Sequence, residues 1–459
     1  MSDYSSVVRV FATTQVPDFD NPWQSSSPAS STGSGVVIGP GQVLTGAHVV
    51  ANATFIQVQR VSDPDKVVAR VAAICHDADL ALLSVEDERF SADIQPETIG
   101  ELPSLRDRVS VVGFPVGGEE ISITEGVVSR LEVQRYSHSQ RRLLAITVDA
   151  AINSGNSGGP VFKDGKIIGV AFQTLSNAEN IGELVPANLI RRFLDGVATN
   201  RVSAVPGVGL TSQSLENPYL RRRVGLTDGQ SGVLVISVEY GGSAHGLIEA
   251  GDVMLSIDGL PIANNGTVRY RDRFRTSYTV VLGDHYVDDE IPVTLLRDGA
   301  EHTVHLPLRP VVHLVPPKRY DYAPSFYIYG GLVFQRLSRD FLGTWSKWRY
   351  RAPPELVHYY FSGRRTAARQ DVVVLTQILA DQLNVGYEHL HSEAVVAVNG
   401  QQPRNLKHFV QLIEDATDTV ELRMSSGGII ALDVAEAHAA NDRILRRYRI
   451  PGPGGHVGD

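Results

Sequence analysis

Residues 151 to 160 read AINSGNSGGP, and this stretch decides how the rest of the chain is read. Ser157 stands among small residues. Gly155, Gly158 and Gly159 permit backbone turns and the close approach of a substrate carbonyl that bulkier residues would restrict. A serine nucleophile needs that setting, although the run taken alone would serve equally as a tight polar loop. Two upstream segments tip the balance: His48 in LTGAHVV and Asp79 in HDADLALLSV.

Serine is a weak nucleophile at its ordinary pKa, so a base must take its proton; His48 would do so and return it to the leaving amine. A carboxylate on the other ring nitrogen holds the useful tautomer. Asp79 is preferred because it directly precedes the apolar run Leu80 to Leu83, where a strand would anchor it; His76 and Asp77 in the same segment compete. The chain order His, Asp, Ser is that of chymotrypsin-type double barrels and differs from the subtilisin-like and hydrolase-fold orders. The N–H groups of Gly155 and Ser157 are the expected oxyanion hole, where well-placed donors contribute roughly 3 to 4 kcal/mol. Ala151, Ile152, Ala171, Phe172 and Gln173 are the candidate substrate-binding residues. The pocket candidates among them, Ala151, Ile152, Ala171 and Phe172, carry no formal charge, which favours small or medium aliphatic side chains over Lys or Arg before the scissile bond. Any one of those four would equally serve as barrel core.

Other classes are disfavoured. A chain of 459 residues points to two or three domains. The net charge of -9 is spread along the chain and the basic clusters are short, so no nucleic-acid partner is expected. Cys75 is the only cysteine, which rules out a disulfide within one chain. The 14 histidines include no HExxH arrangement and no tight Cys and His cluster, so no metal is expected and a metal-dependent hydrolase is a distant third reading. Nor is there a glycine-rich nucleotide fingerprint; no cofactor is expected. The first twenty residues hold no leader and no run is long enough to span a bilayer, so the chain reads as soluble. Its compartment stays open: periplasm if a bacterial leader was removed, otherwise organellar or intracellular.

Short β-branched runs broken by Gly, Pro and Asp point to an all-β sandwich or barrel over the first 200 residues. They are 7–11, 35–38, 42–45, 55–59, 67–74, 80–85, 109–113, 126–135 and 143–148. Asp164-Gly165 between two further runs predicts a tight hairpin beside the serine loop. That hairpin would present the Ala171 to Gln173 backbone to an extended substrate. The Pro, Asn and Ser-rich segment from Pro17 to Ser34 is expected to be a mobile surface arm. Leu189, Ile190, Phe193 and Leu194 predict a helix that closes this domain.

TGAH around His48, DADLALL around Asp79 and NSGNSGGP around Ser157 resemble the three catalytic neighbourhoods of the HtrA or Deg family of serine proteases. The stretches VVGFPVGG, DAAINSGNSGGPVF, AENIG and NDRILRRYRIP resemble the plant-type branch of that family, and the likeness covers nearly the whole chain. The resemblance implies a mainly β fold: a trypsin-like double β-barrel protease domain (1–200), then two PDZ-like α+β domains (207–310 and 311–459). It implies His48 as base, Asp79 as its orienting carboxylate and Ser157 as nucleophile. Regions 117–122, 135–142 and 173–182 would be activation loops ordered on assembly or ligand binding. It also implies unfolded protein or peptide substrates and a homo-oligomer, trimer-based or of higher and even number.

In the C-terminal half, strands are expected at 232–238, 253–257, 291–296, 302–306, 372–378, 393–399 and 419–424. The resemblance places a carboxylate-binding loop at Gly207, Val208, Gly209 and Leu210, which would equally serve as linker, and a second loop and groove strand at Gly330 to Gln335. Leu406, Phe409, Val410 and Ile413 predict an amphipathic helix with Asn405 as N-cap. Residues 269–278 look like an insertion without assignable role. A second insertion, 341–370, groups Trp345, Trp348, Tyr350, Tyr359 and Tyr360, which suits a buried interface and would equally cover the module's own core; the resemblance favours contacts between subunits or domains, with this module holding an oligomer together and having little free affinity for peptides. The leading reading is an ATP-independent endopeptidase for unfolded or damaged proteins. The alternative is a holdase-like chaperone or scaffold with a resting protease domain.

Overall fold

The computed structural model describes residues 4–61, 63–115, 120–150, 152, 155–174, 181–201 and 204–456. β1 (Val7–Thr14), β2 (Ala29–Gly39), β3 (Gln42–Thr45), β4 (Ala53–Arg60), β5 (Lys66–Cys75) and β6 (Leu80–Val85) close a barrel in the order β1-β2-β3-β6-β5-β4. β7 (Arg108–Gly113), β8 (Ser122–Arg135), β9 (Arg142–Val148), β10 (Pro160–Lys163), β11 (Lys166–Thr174) and β12 (Gly182–Pro186) close a second, in the order β7-β8-β9-β12-β11-β10. Closure leaves no strand edge unpaired. Alternation along each strand divides the apolar side chains. Val37, Val43, Val58 and Leu83 fill the first barrel, and Val111, Ile146, Val161 and Leu184 fill the second. Val36, one residue from Val37, points the other way, into a layer between the barrels with Leu44, Leu80, Val112, Tyr136 and Phe172. At the β10–β11 hairpin Asp164 and Gly165 have φ of +50° and +72°, the left-handed pair that a two-residue turn between twisted strands requires.

Two helices belong to this region. α1 (Ala47–Val50) is a single turn after β3, and α2 (Ala187–Ala198) closes the domain with Leu189, Ile190 and Phe193 buried. A middle module follows: β13 (Pro206–Gly207), β14 (Leu210–Ser214), α3 (Pro218–Arg223), β15 (Val233–Val238), β16 (Val253–Ile257), β17 (Leu260–Pro261), β18 (Thr267–Tyr270), β19 (Phe274–Ser277), a 3-10 helix over Tyr278–Asp284, β20 (Glu290–Arg297), β21 (Ala300–Pro307) and β22 (Arg309–Pro310). Its sheet runs β14-β15-β16-β20-β21.

The C-terminal module contains β23 (Phe326–Tyr329), β24 (Leu332–Arg336), α4 (Arg339–Leu342), α5 (Trp348–Arg351), α6 (Pro354–Ser362), β25 (Val373–Ile378), β26 (Glu393–Val398), α7 (Leu406–Glu414), β27 (Thr419–Met424), β28 (Ile429–Asp433), α8 (Val434–Tyr448) and β29 (Gly454–Gly455). The Asn405 side chain caps α7, accepting from His408 N at 2.9 Å, and the α7 face Leu406, Phe409 and Ile413 is core. Trp345, Trp348, Tyr359 and Tyr360 pack against Leu314, Val315, Phe341 and Leu356, so four of the five grouped aromatics cover the module's own core. Tyr350 stays 88% exposed.

The chain forms two compact units. One holds the residues up to Thr14 with Pro28–Val311; the other holds Gln15–Ser27 with the chain from Val312 onward. The expected mobile arm, Pro17 to Ser34, is therefore corrected. Ala29 to Ser34 is the first half of β2, paired with β1. Gln15–Ser27 belongs to the C-terminal unit: Gln335 Nε2 donates to the Phe19 carbonyl at 3.0 Å, Gln377 Nε2 to that of Asp20 at 2.6 Å, and the Trp23 ring meets Phe326 edge-on. Proline and serine composition marked the segment as irregular but said nothing of what its aromatics would find.

Candidate active site

Asp79 sits in the turn between β5 and β6, fully buried, at φ +56°. Its Oδ1 accepts the backbone N–H of His48 at 2.8 Å, and its Oδ2 lies 2.8 Å from His48 Nδ1. An ionised carboxylate only accepts, so Nδ1 carries the ring proton and Nε2 is left with its lone pair. Burial of the imidazole favours its neutral form, while the Asp79 charge and hydrogen bond favour the protonated one; the carboxylate prevails and holds the His48 pKa above its ordinary value. Asp77, the competing carboxylate, faces Arg141 instead, at 2.9 Å.

The serine loop belongs to the second barrel but is locked to the first. Ser34 N donates to the Ser157 carbonyl at 2.9 Å, Ser34 Oγ donates to that of Gly155 at 2.7 Å, and Phe114 N donates to Ser34 Oγ at 2.8 Å. Gly158 N and Ala171 N bond across to β11 and back, to the Ala171 and Gly159 carbonyls. Gly158, at φ +81°, has no room for a side chain: a Cβ there would stand 2.4 Å from Thr45 Oγ1 and 2.5 Å from the Ser34 carbonyl. The loop reaches the histidine through Gly46, whose Cβ position is 2.7 Å from His48 Cε1 and 3.6 Å from Gly158 Cα.

His48 Nε2 is buried and has no hydrogen-bond partner among the described residues, and Ser157 is partly exposed. A bond between nucleophile and base is often long without substrate and tightens when it binds. Of the two expected oxyanion donors, Ser157 N–H belongs to a peptide fixed by Gly159 N donating to the Asn156 carbonyl at 2.9 Å. The peptide that carries Gly155 N–H begins at Ser154, which lies outside the described residues.

The substrate-binding candidates separate. Ala151 lies outside the described residues. Ile152 is buried with its Cδ1 only 2.3 Å from where a Cβ on Gly182 would stand, so Gly182 is what makes room for it. Ala171 is buried and its backbone N–H and C=O are occupied by the serine loop, which corrects the expectation that they lie open to an added strand. The Phe172 ring stacks on Tyr136 at 4.3 Å inside the core and is not a pocket wall. Gln173 continues β11 opposite Glu183. Within the expected activation loops, 117–119 and 175–180 also lie outside the described residues, whereas the β8–β9 turn at 136–141 is described.

In the middle module, Gly207 pairs with Arg309 in β13–β22, Val208 is buried, and Gly209 (φ +74°) has a Cβ position only 2.8 Å from Ser243 N. Leu210 opens β14, whose other edge carries no strand among the described residues; on this strand Ser212 Oγ lies 3.0 Å from the hydroxyl of the buried Tyr278. The segment 269–278, without assignable role in the sequence, forms the β18–β19 hairpin. Arg273 donates to the Leu102 and Pro103 carbonyls and to Ser104 Oγ, and Val133 N donates to Thr276 Oγ1, so the hairpin fastens the middle module to the second barrel.

In the C-terminal module only Gly330 to Gln335, expected as a second loop and groove strand, are corrected. Gly330 and Gly331 form the turn of the β23–β24 hairpin, and β24 pairs with β25 on one side and β23 on the other. Its own chain occupies the edge that a peptide would take. Ser34 carries no signal in the sequence: it lies in the Pro, Asn and Ser-rich segment, and only the folded chain brings it to the serine loop. Asp77, a competing candidate for the imidazole, pairs with Arg141 instead.

Comparison with known proteins agrees with this architecture. Residues 33–170 match the trypsin-like peptidase domain family and residues 315–454 match the PDZ domain family. Protease Do-like 2, chloroplastic, from Arabidopsis thaliana is 38% identical over 455 residues, covering 97% of this chain and 74% of that protein. Protease Do-like 4, mitochondrial, from the same plant is 36% identical over 449 residues, covering 97% and 84%. Among solved structures, the HtrA-type protease AlgW with tripeptide superposes with a TM-score of 0.52 at 25% identity, covering 67% of this chain and 95% of that one.

Proposed function

Because the chain belongs to the HtrA/Deg family of trypsin-like serine proteases, we propose that Ser157, His48 and Asp79 are the nucleophile, base and orienting carboxylate of an ATP-independent endopeptidase that degrades unfolded or damaged proteins. The observation that carries this reading is the two-point grip of Asp79 on His48, at 2.8 Å to both the backbone N–H and Nδ1. It leaves Nε2 as the acceptor for the Ser157 proton. Attack of Oγ on the scissile carbonyl forms a tetrahedral oxyanion, which the amides of Gly155 and Ser157 stabilise. Nε2–H then protonates the leaving amine, and water repeats the sequence on the acyl-enzyme.

Gly207 to Leu210 and the open edge of β14 are the peptide-binding groove in this reading, with substrate chains added as a strand. A homo-oligomer built on trimers belongs to the same reading, and its size in solution checks it. Among the described residues no helix is long and apolar enough to cross a membrane. An organellar or periplasmic site of action is part of the proposal and accords with relatives named for chloroplast and mitochondrion.

Incubating the purified chain and its Ser157→Ala variant with casein, without nucleotide and with excess chelator, tests the reading. Cleavage by the parent alone is expected. Cleavage by both overturns the assignment of Ser157, and cleavage by neither across temperatures and assembly states favours the holdase alternative.

A further inference from the structure

Three segments distant in sequence meet at one carboxylate that the triad does not use. Asp77 Oδ2 accepts from Arg141 at 2.9 Å and from the Val205 backbone N–H at 2.9 Å. The Asp77 carbonyl accepts from Ser139 Oγ at 2.9 Å, and beside it His76 Nδ1 lies 3.0 Å from His138 Nε2. Arg141 completes the knot by donating to the Pro206 carbonyl at 2.8 Å. The turn that carries Asp79 is thus clamped from above by the β8–β9 turn and from the side by the first residues of the middle module. Inside the turn, Asp79 N donates to the His76 carbonyl.

We propose that Asp77 is a positioning residue for the hydrolytic reaction: its carboxylate, held between Arg141 and the Val205 N–H, sets the turn that aims Asp79 at His48. The inference rests on the triad reading and goes beyond it.

The physical case is one of geometry. Asp79 occupies a left-handed backbone conformation, which an aspartate tolerates but does not strongly prefer, so the turn must be held by its surroundings. A carboxylate whose side chain is 25% exposed, paired with a guanidinium at 15%, is shielded enough for the pair to matter and has a backbone N–H as second donor. The other ionisable groups around it are Cys75 and His76 on its own segment, His138 on the β8–β9 side, and Arg192 on α2; Tyr136, on the same side as His138, faces Asp79. The carboxylate that acts on His48 directly is that of Asp79; the His138 ring, bonded to His76, faces the His48 ring from the β8–β9 side at 6.3 Å. Asp77 itself makes no contact with the imidazole and reaches it through the turn.

The test compares the parent with Asp77→Asn and Arg141→Gln, singly and together, on a short unfolded peptide. Asp77→Asn keeps an acceptor for Val205 while removing the ion pair. Each single variant is expected to lower kcat by about tenfold with little change in KM. The acid limb of kcat/KM should move to lower pH, because an Asp79 aimed less well raises the His48 pKa less. The double variant should be no worse than either single one, since both remove the same contact. In parallel, the His48 imidazole is titrated by NMR with histidine-labelled protein, its resonance identified by loss in a His48→Gln variant. This readout needs no turnover, and a lower pKa in Asp77→Asn is expected. An unchanged His48 pKa and acid limb, with kcat falling only as the folded fraction falls or not at all, overturns the proposal. Should Asp77→Asn fail to fold, Arg141→Gln carries the same readings. Failure of the triad reading shows separately, as cleavage by Ser157→Ala.

Discussion

At the scale of single residues, the site turns on groups that tolerate little change. Asp79→Asn keeps the shape of the buried side chain but offers Nδ1 an N–H or a weaker acceptor, so the wrong tautomer is populated. A loss of about ten-thousandfold in kcat is expected from such a change, read by casein or peptide turnover. The raised His48 pKa sets the sign of the pH profile. The base must be neutral, so activity climbs as pH rises through that value, and the acid limb lies above the ordinary imidazole range. The same shift stabilises the folded chain at low pH and is lost as pH rises through the folded-state pKa. An acid limb at or below the ordinary imidazole value would contradict the Asp79 contact. Gly158→Ala places a methyl against Thr45 Oγ1 and the Ser34 carbonyl at a positive φ. Reduced labelling of Ser157 by a serine-directed phosphonate is expected, while circular dichroism shows both barrels still folded.

At the scale of elements, two attachments are open to measurement. The β18–β19 hairpin is held by Arg273 on three acceptors of the 102–104 segment. Because Arg273 is exposed, Arg273→Ala should cost only about 1 kcal/mol. It should instead appear as faster hydrogen exchange along the hairpin, with the interior strands of the second barrel unchanged. The α7 N-cap is simpler. Asn405→Ala removes the acceptor for His408 N and should lower the stability of the C-terminal unit by about 1 kcal/mol, measured by urea unfolding. The hairpin was legible as an interruption and the cap as a cap. The helix shows its reason locally, in an Asn placed ahead of apolar residues at helical spacing, whereas the purpose of the hairpin lies in backbone carbonyls some 170 residues earlier.

At the scale of the whole chain, the two modules that follow the barrels present different strand edges. In the middle module β14 keeps an edge without a strand among the described residues, and in the C-terminal unit β24 is paired on both sides. Calorimetric titration with a peptide bearing a free C-terminus should therefore give a stoichiometry near one per chain. Two sites per chain would mean that β23 can leave β24. The C-terminal unit also depends on the segment borrowed from between β1 and β2. Trp23→Ala removes an aromatic contact with Phe326 and should lower the unfolding midpoint of that unit while the barrels melt as before.

What the sequence determined by itself was whatever depends on near neighbours. Strand positions follow from alternation, the β10–β11 turn from Asp164-Gly165, and the three site motifs from small residues placed around a Ser, a His and an Asp. Tertiary structure decided among side chains whose local chemistry is the same wherever they go. It set Asp77 against Arg141, made Ser34 the clamp on the serine loop, turned Phe172 inward and brought the Gln335 side chain to the Phe19 carbonyl, a contact spanning 316 residues. The physical reason is that a short polar or aromatic side chain carries the same backbone propensity whether it meets solvent or a partner. Its role is settled only when the folded chain brings that partner within hydrogen-bonding or packing distance.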